Sequence, residues 1–158
     1  MCTPEENELR KKNQATIEKF FRREDYKIDE FMMLFTEDTV WELPWTDPLL
    51  QWVGQAQVRE HFINSRKNVQ EWKFINPRVA PALDPNKFFV EVEATATFVQ
   101  PGAPPLIPKM PNRYIFIFTM QDGKIKHAGE YFDRFFAMKA LGMEVPEFRG
   151  PKMGNPAQ

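Results

Sequence analysis

The second half of the chain alternates between apolar and polar residues, and this alternation limits its fold more than any other feature. Trp72–Val79, Phe88–Phe98, Arg113–Met120 and Lys124–Phe132 are rich in aromatic and β-branched residues at a period of two. At that period the successive side chains of a strand face opposite ways. Turn-forming residues separate the runs at Asp84-Pro85-Asn86, at Pro101-Gly102-Ala103-Pro104-Pro105 and at Gln121-Asp122-Gly123. An Asp-Gly step supplies the positive φ of a tight turn, so the last two runs predict a hairpin.

Ahead of the strands the period is helical. Leu9, Asn13, Ile17, Phe20 and Phe21 fall on one side of a helix running from Glu5 to about Arg23, with charges on the other faces. Ile28, Phe31, Met32 and Phe35 repeat the pattern from Tyr26 to Phe35, and Thr36-Glu37-Asp38 ends it. A short strand, Thr39–Leu43, is broken by Pro44-Trp45-Thr46-Asp47-Pro48. A third helix opens at Gly54 and runs to about Lys67, with Val58, Phe62 and Ser65 along one side, and a last one spans Arg134–Leu141 and stops at Gly142. Helices followed by a meander of long strands predict an α+β fold. Its curved, mainly antiparallel sheet forms a cone with the N-terminal helices packed over the concave face.

A length of 158 residues suits one domain with a single core. We read residues 1–158 as that domain, with flexible residues 1–5 and a Pro-rich tail over 145–158. Fifteen Phe and four Trp suit a concave sheet with an apolar inner wall. A formal net charge of −1 argues against a nucleic-acid partner, and Arg10-Lys11-Lys12 and Arg22-Arg23 read as solvated helix faces. There is no secretory signal and no membrane-length apolar run, so a cytoplasmic location is expected. The single cysteine, Cys2, is read as incidental. No phosphate-binding glycine loop, nucleophile elbow or metal-ligand spacing occurs, so neither cofactor nor metal is assigned. Cofactor-free acid/base chemistry remains.

Glu130 is the most informative polar residue. On the last strand Ala128, Glu130 and Phe132 share one face, and Ile125, His127 and Tyr131 share the other. Alternation alone leaves Glu130 as a solvated edge-strand acid or as a pocket carboxyl. In a pocket, desolvation would raise its pKa and make it a usable proton donor. In the third helix His61 and Ser65 are four residues apart and stack on one face beside Val58 and Phe62. They read either as a core histidine bonded to a carbonyl with a space-filling serine, or as two polar groups turned into a cavity. On the long strand, Phe88, Val90, Val92, Ala94, Ala96 and Phe98 form an apolar row that is the cavity wall or the helix-packing face, while Glu91 and Glu93 face outward. Trp72 and Phe116 are assigned to the substrate-binding wall. Arg113 and Arg134 flank the final strands, as surface cations or as anchors for a substrate carboxylate.

Four segments, in order, resemble the PhzA/PhzB family of phenazine biosynthesis proteins across nearly the whole chain. They are Asn7-Glu8-Leu9-Arg10-Lys11-Lys12-Asn13-Gln14-Ala15-Thr16-Ile17-Glu18-Lys19-Phe20, Asp84-Pro85-Asn86-Lys87-Phe88-Phe89-Val90-Glu91, Asp122-Gly123-Lys124-Ile125-Lys126 and Ala140-Leu141-Gly142-Met143-Glu144-Val145-Pro146. Arg59-Glu60-His61-Phe62-Ile63-Asn64-Ser65 is similar to the family's Glu-His-x-x-x-Ser pattern, and Gly129-Glu130-Tyr131-Phe132 to its Arg-Glu-Phe-Met. The resemblance implies a nuclear transport factor 2-like, ketosteroid isomerase-like cone and a homodimer formed through the outer sheet face, with a heterodimer with a paralogue as the variant. It also implies that Glu130 is the acid and that His61 and Ser65 are its substrate-binding partners.

The implied reaction is the head-to-tail condensation of two molecules of 6-amino-5-oxocyclohex-2-ene-1-carboxylic acid into a tricyclic phenazine precursor. Two departures stand out. Where the family has a basic stretch in the second helix, this chain has Lys27-Ile28-Asp29-Glu30-Phe31, which moves the carboxylate anchor to Arg113 or Arg134. The Pro101–Pro111 loop also differs from the Pro-Gly-Tyr-Pro-Glu-Gly type of segment. Other functions open to the same fold are an isomerase, cyclase or dehydratase acting on another cyclic ketone, and a non-catalytic dimeric binding subunit.

Overall fold

A computed structural model describes residues 3–145, so Cys2 and nearly all of the Pro-rich tail lie outside the described residues. In chain order the elements are α1 Pro4–Phe20, a 3₁₀ turn Arg23–Asp25, α2 Ile28–Met32, β1 Phe35–Leu43, β2 Leu50–Val53, α3 Gln55–Ser65, β3 Val69–Pro81, β4 Lys87–Phe98, β5 Asn112–Gln121, β6 Lys124–Phe132 and α4 Arg134–Ala140. The six strands form one sheet in the order β2-β1-β6-β5-β4-β3. All neighbours are antiparallel except β1 and β6.

Helix α1 begins within the stretch expected to be flexible, because its start is capped twice. The Thr3 hydroxyl accepts from the Glu6 N–H at 3.2 Å, and the Glu6 carboxylate accepts from the Thr3 N–H at 2.7 Å. Two side chains then tie α1 to the sheet. The Asn13 amide donates to the Pro85 carbonyl and to Asn86 Oδ1, both at 3.0 Å, and the Thr16 hydroxyl donates to the Gly123 carbonyl at 2.6 Å. Gly123 stands at φ 83°, as the tight β5–β6 turn requires. Asn13 is fully buried, so Asn13→Ala leaves buried acceptors without their donor. Urea unfolding should show a loss of about 1–3 kcal/mol.

The second helix is shorter than its pattern. Phe35 starts β1 instead of closing a helix, because it pairs in parallel with Ile125, and the Ile125 N–H donates to the Leu34 carbonyl at 2.8 Å. Thr36-Glu37-Asp38 therefore lies within the strand. β2 was not legible in the pattern: it is a four-residue edge strand with Leu50, Gln51 and Val53 exposed.

The sheet bends where its registers slip. Residue Asn76 of β3, at φ 50°, sits in the shift between Ile75 and Arg78. In β6 one extra residue lies between the pairs Met120↔Ile125 and Thr119↔His127. That extra residue turns Ile125 to the core side with Ala128, both fully buried, and corrects its expected place beside His127 and Tyr131. Phe88, Val90, Val92 and Ala94 of β4 are buried against the helices, as their alternation predicts. Ile17, Phe20 and Phe21 from α1, Phe31 from α2 and Val58 and Phe62 from α3 complete the core with Phe116 and Phe118 of β5. Among the described residues, no helix is long and apolar enough to cross a membrane.

Candidate functional site

Between α3, the ends of β4–β6 and α4 the concave face opens into a cavity of about 220 Å³. Glu130, His61, Ser65 and Trp72 all line it, so the structure brings four of the sequence-predicted residues together. Phe116 is paired with Glu130 across the β5–β6 ladder and stacks on Tyr114 and Phe118, but it lies beneath the cavity in the core and not in its wall. Arg113 is on the outer face, 3.7 Å from Glu93. Arg134 packs over Trp45 and Phe135, outside the lining. Neither arginine reaches the site, because Arg113 alternates with the inward Asn112 and Tyr114, and Arg134 opens the first turn of α4.

Glu130 sits on the inner face of β6. Trp41 Nε1 donates to its Oε2 at 2.9 Å. Oε1 accepts no hydrogen bond from any described residue, and the Glu130 side chain lines the cavity. Burial raises the Glu130 pKa, with the Trp41 bond and the nearby Arg23 cation opposing it more weakly. Trp41 is itself fixed: its pairing with Ala128 sets its place beside Glu130, and its ring stacks on Phe20 at 5.5 Å and meets Phe62 edge-on at 5.0 Å.

The His61 ring stacks on Trp52 of β2 at 3.7 Å, with 26° between the planes. Its pKa is lowered to about 4, by burial first and by Arg23 second, so the ring is neutral at pH 7. The core-histidine alternative required a bond to a carbonyl, and no described residue hydrogen-bonds this imidazole. The Ser65 hydroxyl donates back to the Phe62 carbonyl at 3.1 Å, and Ser65 lines the cavity. A folded-state pKa below the ordinary 6.5 means that protons favour the unfolded chain as pH falls from about 6.5 to 4. Up to about 3 kcal/mol of stability is lost across that window. In His61→Phe that component is absent, so the urea midpoint of the wild type should drop further than the variant's between pH 7 and pH 4.

The pattern missed several lining residues. Arg23 was read as part of a solvated helix face; instead its guanidinium sits inside the cavity with its pKa lowered to about 10, chiefly by burial. Arg66 lines the same wall. Tyr114 alternates inward on β5, and burial raises its hydroxyl pKa, which keeps it a neutral donor. The inward period of β5 was a usable signal for Tyr114, while nothing local distinguishes Arg23 from Arg22. α4 closes one side with Phe136, Ala137 and Ala140, and its start is capped by Asp133, which accepts from the Phe136 N–H at 3.0 Å. His127 faces away from the cavity, 3.1 Å from Glu42. No group of three or more His, Cys, Asp or Glu that could hold a metal ion occurs among the described residues.

Comparison with known proteins agrees with this geometry. The family described as phenazine biosynthesis protein A/B matches residues 3–155. The chain belongs to the phenazine biosynthesis protein A/B family. It is similar to phenazine biosynthesis protein PhzB of Pseudomonas fluorescens, 34% identical over 97% of this chain and 93% of the relative. In structure this family member resembles a phenazine biosynthesis-related protein (PhzB2) of Pseudomonas aeruginosa, with TM-score 0.80 and 30% identity over 97% of this chain and 98% of the other. An NTF2-like protein of unknown function from Burkholderia pseudomallei shares the fold at TM-score 0.67 and 12% identity, over 82% of this chain and 97% of that one. The cone predicted from the strand pattern is therefore the nuclear transport factor 2-like fold.

Proposed function

We propose that the protein catalyses the head-to-tail condensation of two molecules of 6-amino-5-oxocyclohex-2-ene-1-carboxylic acid to a tricyclic phenazine precursor. The observation that carries this reading is a carboxyl group whose pKa burial raises, with one oxygen bound to Trp41 and the side chain lining a largely apolar cavity. Family membership supports the pathway.

The chemistry fits such a group. Each amine attacks the other molecule's ketone carbon, forming a carbinolamine. The Glu130 carboxyl protonates the departing hydroxyl, which leaves as water while the nitrogen lone pair forms the C=N bond. The Glu130 carboxylate then takes the proton from the iminium nitrogen and is again an acid. Two such steps release two waters and need no redox partner. His61, neutral and weakly basic, serves as a hydrogen-bond partner that orients the amine, and the Ser65 lone pairs accept in the cavity. Holding two rings in register contributes through effective molarity, and proton transfer contributes the rest.

The same reading places a homodimer across the outer sheet face. Phe89, Ile115 and Tyr131 stand partly exposed there beside the Arg78–Glu91 and Arg113–Glu93 pairs. Glu130→Gln and His61→Ala, compared with wild type in a coupled phenazine-precursor assay, test the catalytic claim. Unchanged rates in both variants overturn it.

A further inference from the structure

One buried cation in the cavity makes no direct ion pair with any described residue, although the Glu130 carboxyl lies within electrostatic range. The Arg23 guanidinium lies 4.8 Å from the Phe74 ring centroid, 5.1 Å from Trp72 and 5.9 Å from Phe62. Its Nε is buried with no acceptor. No described residue forms an ion pair or hydrogen bond with the guanidinium. Nearby, Arg66 carries the same sign of charge and lines the same wall. Both arginines also border a second, smaller hollow of about 90 Å³ with Tyr26, Ile28 and Phe31.

Buried cations are ordinarily paired, because desolvating a lone charge is costly. His61 is neutral at pH 7, burial pushes Glu130 toward its uncharged form, and Arg23 and Arg66 are the two cations of the lining. A guanidinium framed by three aromatic rings is held in place, and its planar fork matches a carboxylate. We propose that Arg23 is the anion receptor of the cavity and pairs with the carboxylate of a ring-shaped ligand, the role sequence reasoning gave to Arg113 or Arg134. This deepens the condensation reading and rests on it for the ligand class. The second helix has the acidic Asp29 and Glu30 where a basic stretch was expected, and Asp29 is bound to Arg59 at 2.9 Å. Arg23, just past the end of α1, supplies a cation inside the cavity from a different element. An anion seated beside it also relieves its repulsion with Arg66.

Binding, not turnover, tests this. Calorimetric titration with cyclohex-2-ene-1-carboxylate and with the matching carboxamide compares two ligands that differ mainly in charge. Wild type should bind the carboxylate at least about tenfold more tightly. In Arg23→Met that preference should collapse, while Arg23→Lys, with charge but no fork, should keep an intermediate one. Equal affinity of wild type for the two ligands, or no carboxylate binding at all, overturns the proposal without any variant. Full preference retained in Arg23→Met, or in Arg23→Lys should the Met variant fail to fold, overturns it as well. Glu130→Gln should keep the preference. The condensation reading can therefore fail in its assay while the anion receptor stands, and the reverse.

Discussion

Glu130→Gln is expected to slow the condensation by about 10²- to 10⁴-fold, the usual worth of a positioned general acid, with little change in KM. The amide has nearly the same shape and its carbonyl can still accept from Trp41 Nε1, so the cavity and its hydrogen bond survive. Only the transferable proton is lost. Among the protein groups lining the cavity, Glu130 is the carboxyl the pH profile should report, with Arg23 adding a separate limb near 10. His61 titrates near 4, and Tyr114 is pushed above its ordinary range. Activity should therefore fall as pH rises through the elevated Glu130 pKa, and this limb should be missing from the residual rate of the variant. A variant that keeps the descending limb would assign the acid to another group.

The same substitution has a consequence for stability. Burial raises the folded pKa of Glu130 above its unfolded value near 4.3, so the unfolded chain releases that proton first. Wild type then loses stability as pH rises from about 4.3 to the folded pKa and stays penalised above it. Glu130→Gln carries no such penalty. It should melt higher than wild type at neutral pH, with the advantage fading at acid pH where both states hold the proton. A gain in stability together with a loss of rate is the signature of a functional carboxyl and not of a structural one.

How much of this was legible in sequence depended on the range of the interactions. Strand alternation is local, so the two faces of β4 followed directly from it, while for Glu130 it left a solvated acid or a pocket carboxyl and the structure places the side chain in the cavity lining. The i, i+4 spacing put His61 and Ser65 on one wall for the same reason. Ile125 was misplaced because a single extra residue in β6 flips the period, and no residue type there announces it. Arg113 and Arg134 were attractive because they flank the right strands, yet alternation turns Arg113 outward and Arg134 belongs to α4. Arg23 was invisible because its burial is created by Trp72 and Phe74, about fifty residues later in the chain. Trp52 was likewise hidden, since the strand that carries it is held by its pairing with β1 and not by any pattern of its own.

Phe20→Ala should be the most destabilising single substitution in the core. The Phe20 ring is fully buried and meets Phe21, Phe31, Trp41, Phe116 and Phe118 at centroid distances of 5.0 to 5.8 Å, with Phe35, Phe62 and Phe74 somewhat farther out. These partners come from three helical segments and three strands, so no single element can move in to fill the hole. The expected loss is about 3–5 kcal/mol, or a fall in Tm of roughly 6–20 °C for a chain of this size. Against a typical total of about 5–15 kcal/mol, that leaves the fold marginal. Phe20→Leu keeps most of the volume and should lose far less.

The effect should reach the site as well. Trp41 stacks on Phe20, and Trp41 is what holds Glu130 Oε2. With that stack gone the indole is freer and its donation weaker. Since the donation lowers the Glu130 pKa, weakening it should carry the descending limb of the pH–rate profile to higher pH. A Phe20→Ala protein that melts early but keeps the wild-type limb would show that the core and the carboxyl are not coupled through Trp41.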